Sequence, residues 1–269
     1  MNTTVFMGGG RITGALLAGL SRAEHHGAIL VHDRNAEKLR ALQLDFGVAV
    51  EPDLQAAIAK ADMLIIAVRP ASVAELLDSI GRCAGASPLL AVSLAAGIPL
   101  KNLRPRLSSR VRWARALPSP ICRIGRGLTA VAFARNFLGR DRERVRKFFE
   151  QVGTVLEMPE NRLDAFNAAY SPGHGYHALA TLARAAQDSG LDQRTALTAA
   201  AHALADAILY WRESGQKLSH LLQESATPGG TTAATLAAIS AAGYKRAIER
   251  GLEAGIRQAQ ANAKLIVQS

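Results

Sequence analysis

The chain has 269 residues, 49% of them hydrophobic, and a formal net charge of +10. That length suits one large domain or two modest ones with a full core, and no stretch reaches the roughly 18 uninterrupted apolar residues of a membrane span. Cys83 and Cys122 have no metal-ligand spacing and form no disulfide framework, and no signal-peptide pattern precedes the first strand-like run, so a cytoplasmic protein without metal is expected.

Short apolar runs alternate with helical patterns through the first half. Strands are expected at Thr3–Met7, Ala28–His32, Val48–Val50, Met63–Val68, Leu89–Ser93, Arg110–Ala114, Leu128–Phe133 and Val155–Glu157. Between them, helices are expected from about Ile12, at Ala36–Leu44, at Leu54–Lys60 and at Val73–Ile80. The arginine cluster 135–146 is interleaved with acids and reads as the exposed face of a helix, not a nucleic-acid contact. Such alternation predicts a doubly wound, mainly parallel α/β sheet over residues 1–158. After Pro159 only helical periodicity remains, at Arg162–Ala169, Tyr176–Asp188, Gln193–Arg212, Leu218–Glu224, Thr231–Ala242 and Tyr244–Ile266. Residues 159–269 therefore read as an all-α domain, and the run 199–211, apolar around most of its circumference, points to burial against another subunit.

Two glycine clusters carry the chemistry. Gly8-Gly9-Gly10-Arg11-Ile12 follows the first strand and opens the first helix, with Gly8 and Gly10 at the first two positions of a GxGxxG pattern and Gly14 one residue late. In a strand-turn-helix context this is a dinucleotide fingerprint, in which bare glycines let a pyrophosphate approach the helix N-terminus. The second strand ends at His32-Asp33-Arg34-Asn35. An acid there favours NADH and an arginine favours NADPH; with Lys38 nearby, Arg34 and Asn35 are expected to neutralise the NADPH phosphate while Asp33 turns away, NADH being the alternative. Ala67-Val68-Arg69-Pro70 ends the most apolar strand, where Arg69 can meet a cofactor phosphate, and Ala95-Ala96-Gly97 follows another strand with residues small enough for a flat ring to lie against. In the second cluster, Thr227-Pro228-Gly229-Gly230-Thr231-Thr232, proline ends one helix and two hydroxyls open the next, which is either a plain corner or a site for a small anion.

Taken together, these motifs, with Arg115-Ala116-Leu117-Pro118 and Glu213-Ser214-Gly215, resemble the pyrroline-5-carboxylate reductase family over nearly the whole chain. The resemblance implies an N-terminal Rossmann domain and a helical domain that dimerises, giving a homodimer or an oligomer of dimers. It also implies NAD(P)H-dependent reduction of a cyclic imino acid, 1-pyrroline-5-carboxylate, to L-proline. By the same resemblance, Thr227, Gly230 and Thr231 meet the substrate carboxylate, Thr232 sets its hydroxyl near the ring nitrogen, and Glu213 belongs to the substrate side. A β-hydroxyacid dehydrogenase, the nearest rival, needs a lysine base in the first long helix of the second domain, and 167–186 contains none.

Two departures qualify the match. Where the family has Met-Pro-Asn-Thr-Pro the chain has Leu117-Pro118-Ser119-Pro120, and the family's Ser-Gly-Ser-Gly-Pro-Ala loop is read as Ser171-Pro172-Gly173-His174-Gly175-Tyr176. His174 is either a proton donor or ligand for a polar substituent, or a plain surface histidine. A piperideine carboxylate substrate, or an NADPH-binding relative without catalysis, therefore stays open.

Overall fold

The computed structural model describes residues 3–83, 90–107, 109–135 and 137–266. Of the positions expected in strands and helices, Leu89 and Asn136 lie outside this set. The chain divides into two compact units, Met1–Tyr170 with Ala254–Ser269, and Ser171–Glu253.

The first unit is built on an eight-stranded sheet of order β3-β2-β1-β4-β5-β6-β7-β8. Its strands are β1 (Thr3–Met7), β2 (Ala28–His32), β3 (Ala49–Val50), β4 (Met63–Ile66), β5 (Leu90–Ser93), β6 (Arg112–Leu117), β7 (Gly127–Phe133) and β8 (Gly153–Glu157). Its helices are α1 (Arg11–Arg22), α2 (Ala36–Phe46), α3 (Leu54–Ala59), α4 (Val73–Cys83), α5 (Leu100–Leu103), α6 (Gly139–Glu150) and α7 (Leu163–Ala169). All described pairings are parallel except β6 with β7.

The central strands are apolar on both sides because helices cover both faces of a parallel sheet. Successive residues point to opposite faces, so Val5, Leu64, Ile66 and Ala91 pack with Val73, Leu77 and Leu103 of α4 and α5. Phe6, Met63, Ile65 and Val92 pack instead with Leu16, Leu20, Leu42 and Phe149 of α1, α2 and α6. Gly19 of α1 lies directly under the 3-10 turn Pro120–Ile124, where any Cβ would overlap the Cys122 carbonyl. Burial pushes the Cys122 thiol up to about 11, so it packs as an inert apolar group.

Several bounds differ from the sequence expectation. β4 stops at Ile66 because Arg69 turns into a 3-10 turn begun by Pro70. β6 runs on to Leu117, since that end of the strand pairs antiparallel with β7, from Ala114 opposite Phe133 to Leu117 opposite Ala130.

The second unit comprises α8 (Pro172–Asp188), α9 (Gln193–Ser214), α10 (Leu218–Ser225), α11 (Thr231–Ala241) and the first turns of α12 (Tyr244–Leu265), whose last turns belong to the first unit. α8 starts earlier than Tyr176: Ser171 caps it through its hydroxyl, which accepts from Gly173 N at 3.2 Å, and Pro172 takes the first helical position. α8 packs on α9, and the buried residues of the pair are alanines, Ala183, Ala196 and Ala200. Large apolar side chains including Tyr176, Ile208, Trp211, Leu222, Ile239 and Tyr244 are exposed in the single chain. Among the described residues no helix is long and apolar enough to cross a membrane.

Candidate active site: two glycine turns at helix starts

In the first unit the crevice of a sheet ordered in this way lies at the carboxyl ends of β1 and β4, where the strand order reverses. The glycine turn stands there. Gly8 adopts φ +114° and packs so tightly that a Cβ would come within 2.9 Å of the Ala67 carbonyl oxygen, so no other residue fits. Its own carbonyl is held by the buried Thr13 hydroxyl, which donates at 2.6 Å. Gly10 is the N-cap of α1, has no side-chain cap, and has nothing within 4 Å of a built Cβ. The first turn of α1 contains no acid. Free N–H groups, the positive end of the helix dipole and an open approach fit a pyrophosphate. Arg11 is exposed and Ile12 half-buried on the first turn beside it.

Asp33, at the end of β2, is turned onto this loop. One carboxylate oxygen accepts from Gly9 N at 2.7 Å, the other from Asn35 N at 2.8 Å, and Lys38 Nζ stands 3.6 Å away. Burial raises its pKa, but those N–H groups and the ammonium outweigh it and hold the carboxyl below the ordinary aspartate value. Arg34 reaches across the surface to Glu75 at 2.7 Å, and the Asn35 side chain caps α2 by accepting from Lys38 N at 3.1 Å. Arg34 and Lys38, two of the basic residues expected around a phosphate, are therefore gathered just beyond β2, each already holding a partner.

Arg69 is exposed and leads into the turn at Pro70, while Ala67 and Val68 form the wall against Gly8. Beyond β5, Ala95 is buried and Gly97 takes φ +79°. Behind this loop sits Arg115, 1% exposed, with Nη1 at 3.3 Å from Glu160 and Nη2 at 3.5 Å from Asp164. Glu160 also accepts from Leu100 N at 2.6 Å. Sequence reasoning missed Thr13, Glu160 and Asp164; single polar residues in amphipathic segments carry no motif.

In the second unit Thr227-Pro228-Gly229-Gly230 forms a β-turn closed by Gly230 N donating to Thr227 O at 2.9 Å, with Gly229 at φ +78°. Proline at the second position and a positive-φ glycine at the third are what a type II turn requires. Gly230 is then the uncapped N-cap of the eleven-residue α11, with Thr231 and Thr232 exposed in its first turn and no acid there. Thr227, Gly230, Thr231 and Thr232 thus share one turn. Glu213 is exposed at the end of α9, before Gly215 closes that helix at φ +66°. His174 is exposed in the first turn of α8, its N donating to Ser171 O at 3.0 Å, so it stands on a helix start and not in a loop.

A glycine turn at a helix start on a doubly wound α/β unit, followed by a helical unit, is the arrangement of Rossmann oxidoreductases with a separate helical unit. Residues 160–262 match the family model described as pyrroline-5-carboxylate reductase dimerisation, and residues 3–97 the model described as NADP oxidoreductase, coenzyme F420-dependent. The pyrroline-5-carboxylate reductase of Methanosarcina acetivorans is 27% identical over 259 residues, 93% of this chain and 94% of its own length. That of Corynebacterium melassecola is 29% identical over 259 residues, 94% of this chain and 96% of its length. The Plasmodium falciparum pyrroline carboxylate reductase, solved with NADP bound, shares the fold with a TM-score of 0.86 at 19% identity, over 97% of this chain and 98% of its own. Over nearly its whole length the chain is thus similar to pyrroline-5-carboxylate reductases, and its helical part matches the model of their dimerisation region.

Proposed function

We propose that this protein reduces 1-pyrroline-5-carboxylate to L-proline with NADPH, NADH being the alternative donor, and that it works as a homodimer. The observation that carries this reading is the Thr227–Thr232 turn, an uncapped helix start with two exposed hydroxyls on a chain that also holds a pyrophosphate cradle. When bound, the nicotinamide supplies the hydride for the C=N carbon. Gly8, Gly10 and the first turn of α1 hold its pyrophosphate, with Arg11 and Ile12 alongside; Arg34, Asn35 and Arg69 serve its phosphates.

The N–H groups at Gly230 and Thr231, with the Thr227 hydroxyl, receive the substrate carboxylate, and Glu213 borders the substrate. A cyclic imine is basic enough to be protonated near neutral pH, so the chain needs no strong acid. The Thr232 hydroxyl accepts a hydrogen bond from the iminium N–H and steadies the nitrogen as it becomes an amine. Positioning does the rest.

The exposed apolar side chains of the second unit suit a second copy of the chain, because covering each contributes about 1.5–3 kcal/mol when burial is complete. Two free cysteines, one half-buried and one buried, suit a reducing cytoplasm. A six-membered piperideine carboxylate is the second reading, favoured by His174, which is exposed on the α8 start.

Purified protein mixed with NADPH and pyrroline-5-carboxylate should consume NADPH and form proline. Faster turnover of piperideine carboxylates would favour the second reading. NADPH binding without turnover of any cyclic imino acid would leave a catalytically silent relative and overturn the proposal.

A further inference from the structure

The segment that leaves β5 is irregular, yet it is held from behind by residues far away in sequence. Gly97 lies against the backbone of α12, where a Cβ would overlap the Ala259 carbonyl oxygen. One turn further on, the half-buried Asn262 donates from Nδ2 to Ala96 O at 3.3 Å, across 166 residues of sequence. Gln258 Nε2 in turn donates to Asn262 Oδ1 at 3.4 Å, which leaves the amide nitrogen directed at the loop.

The end of α12 and the residue that follows it are tied down twice more. Asn102 Nδ2 donates to Ala263 O at 3.0 Å, and Arg106 Nη2 donates to Ile266 O at 2.5 Å while its Nη1 pairs with Asp78 at 2.8 Å. Ile266 itself is 2% exposed and packs in the cluster that includes Trp113 and Leu103. The far side of the loop is fixed by the small cluster of Leu117, Ala130 and Leu163, against which Ala96 packs, and by Glu160 on Leu100 N.

The loop after β5 has few backbone hydrogen bonds of its own, Leu94 N to Ile66 O at 2.9 Å and Ile98 N to Ala95 O at 3.5 Å, so its surroundings must fix the rest before it can present a defined surface to a planar ring. β5 lies in the half of the sheet beyond the β1/β4 switch, the half that receives the second nucleotide of a dinucleotide. From these contacts we infer that Asn262 is a positioning residue for the nicotinamide half of the cofactor site, acting through the Ala96 carbonyl and the backbone of Ala95–Gly97. The inference rests on the cofactor reading proposed above.

The test compares two ligands on the full-length chain. NADPH carries the nicotinamide; 2′-phospho-ADP-ribose keeps the adenosine, its phosphate and the pyrophosphate without that ring. Two variants are measured by calorimetry: Asn262→Ala, which removes the donor, and Asn262→Asp, which keeps the shape and sets an acceptor against the carbonyl. Each should weaken NADPH by about fivefold or more, the scale of one lost hydrogen bond, and leave the fragment within twofold. Amide exchange across 95–100 should quicken in both variants, with strands β1 and β4 unchanged.

NADPH affinity within twofold of the unaltered chain in both variants would overturn the inference alone. Parallel weakening of both ligands would also overturn it, because the amide would then be supporting the whole unit. Failure of the unaltered chain to bind NADPH would overturn the cofactor reading, and this inference with it.

Discussion

The two glycine turns share a local design and differ in everything around it. Gly10 and Gly230 are both uncapped N-caps of helices whose first turns contain no acid. The turn before α1 is locked: Gly8 is wedged against Ala67, its carbonyl is bound by Thr13, and Gly9 N is taken by Asp33. By contrast, Gly229 has nothing within 4 Å of a built Cβ, and Thr227, Thr231 and Thr232 are exposed. The first turn is thus fixed within its own unit, whereas the second offers donors and hydroxyls with no walls among the described residues. On the function proposed above, the rigid turn suits a cofactor common to many reactions, and the open one leaves ring size and substituents to whatever covers it.

The largest expected effect breaks the first cradle without breaking the fold. Gly10 has φ −83° and open space at its Cβ, so Gly10→Val should fold with an unchanged Tm. Its side chain should then block the pyrophosphate and weaken NADPH on the order of 100-fold. Unchanged cofactor affinity would mean that this turn does not hold the dinucleotide. Next comes the open cradle. Thr232→Ala should lower kcat by roughly 10–100-fold, as loss of a hydroxyl on the reacting group does, with NADPH affinity within twofold. Full activity would leave Thr232 as a mere helix-start residue and remove the functional parallel between the turns.

A smaller effect measures how the first turn is locked. Because the Asp33 pKa is depressed by folding, its carboxylate stabilises the fold fully above the ordinary aspartate range and ceases to do so as pH falls through the lower folded value. Asp33→Asn should therefore cost about 1–2 kcal/mol at neutral pH, lowering Tm by roughly 2–6 °C, a gap that closes in acid. A gap independent of pH would show that shape and not charge holds Gly9. Smallest is Arg34→Ala. Its ion pair with Glu75 is exposed, so stability should hardly move. NADPH should weaken by about three- to fivefold and NADH not at all; equal changes would place phosphate reading elsewhere.

Much of the fold was legible because it depends on short-range pattern. The alternating strands and helices, the glycine turn after β1 and the proline that ends α10 are each set within a few residues. Bounds were lost where a distant partner decides them, as at β6, which β7 extends to Leu117. The start of α8 was missed because two glycines masked it, although Ser171-Pro172 is a good cap-and-first-turn pair. In the candidate site the residue types were readable, but their engagements were not. Asp33 was expected to turn away from the cofactor phosphate; what could not be read is that its carboxylate accepts from the Gly9 amide, 24 residues away. Arg115 stands in a motif read from the sequence, but its partners Glu160 and Asp164 meet it only through the fold, and nothing in the neighbourhoods of Glu160 and Asn262 marks them.

The return of α12 to the first unit has a consequence for the order in which the protein can be made. The α/β unit is mostly complete by Tyr170, and its parallel strands can form as they leave the ribosome. The backing of Gly97 and Ala96, however, comes from residues after Glu253, synthesised when the whole helical unit is already out. At the ordinary pace of about 5–20 residues per second, a nascent chain spends several seconds with the β5 loop held only on its far side. A chain stalled within the helical unit would therefore hold a folded sheet whose β5 loop still lacks its α12 backing.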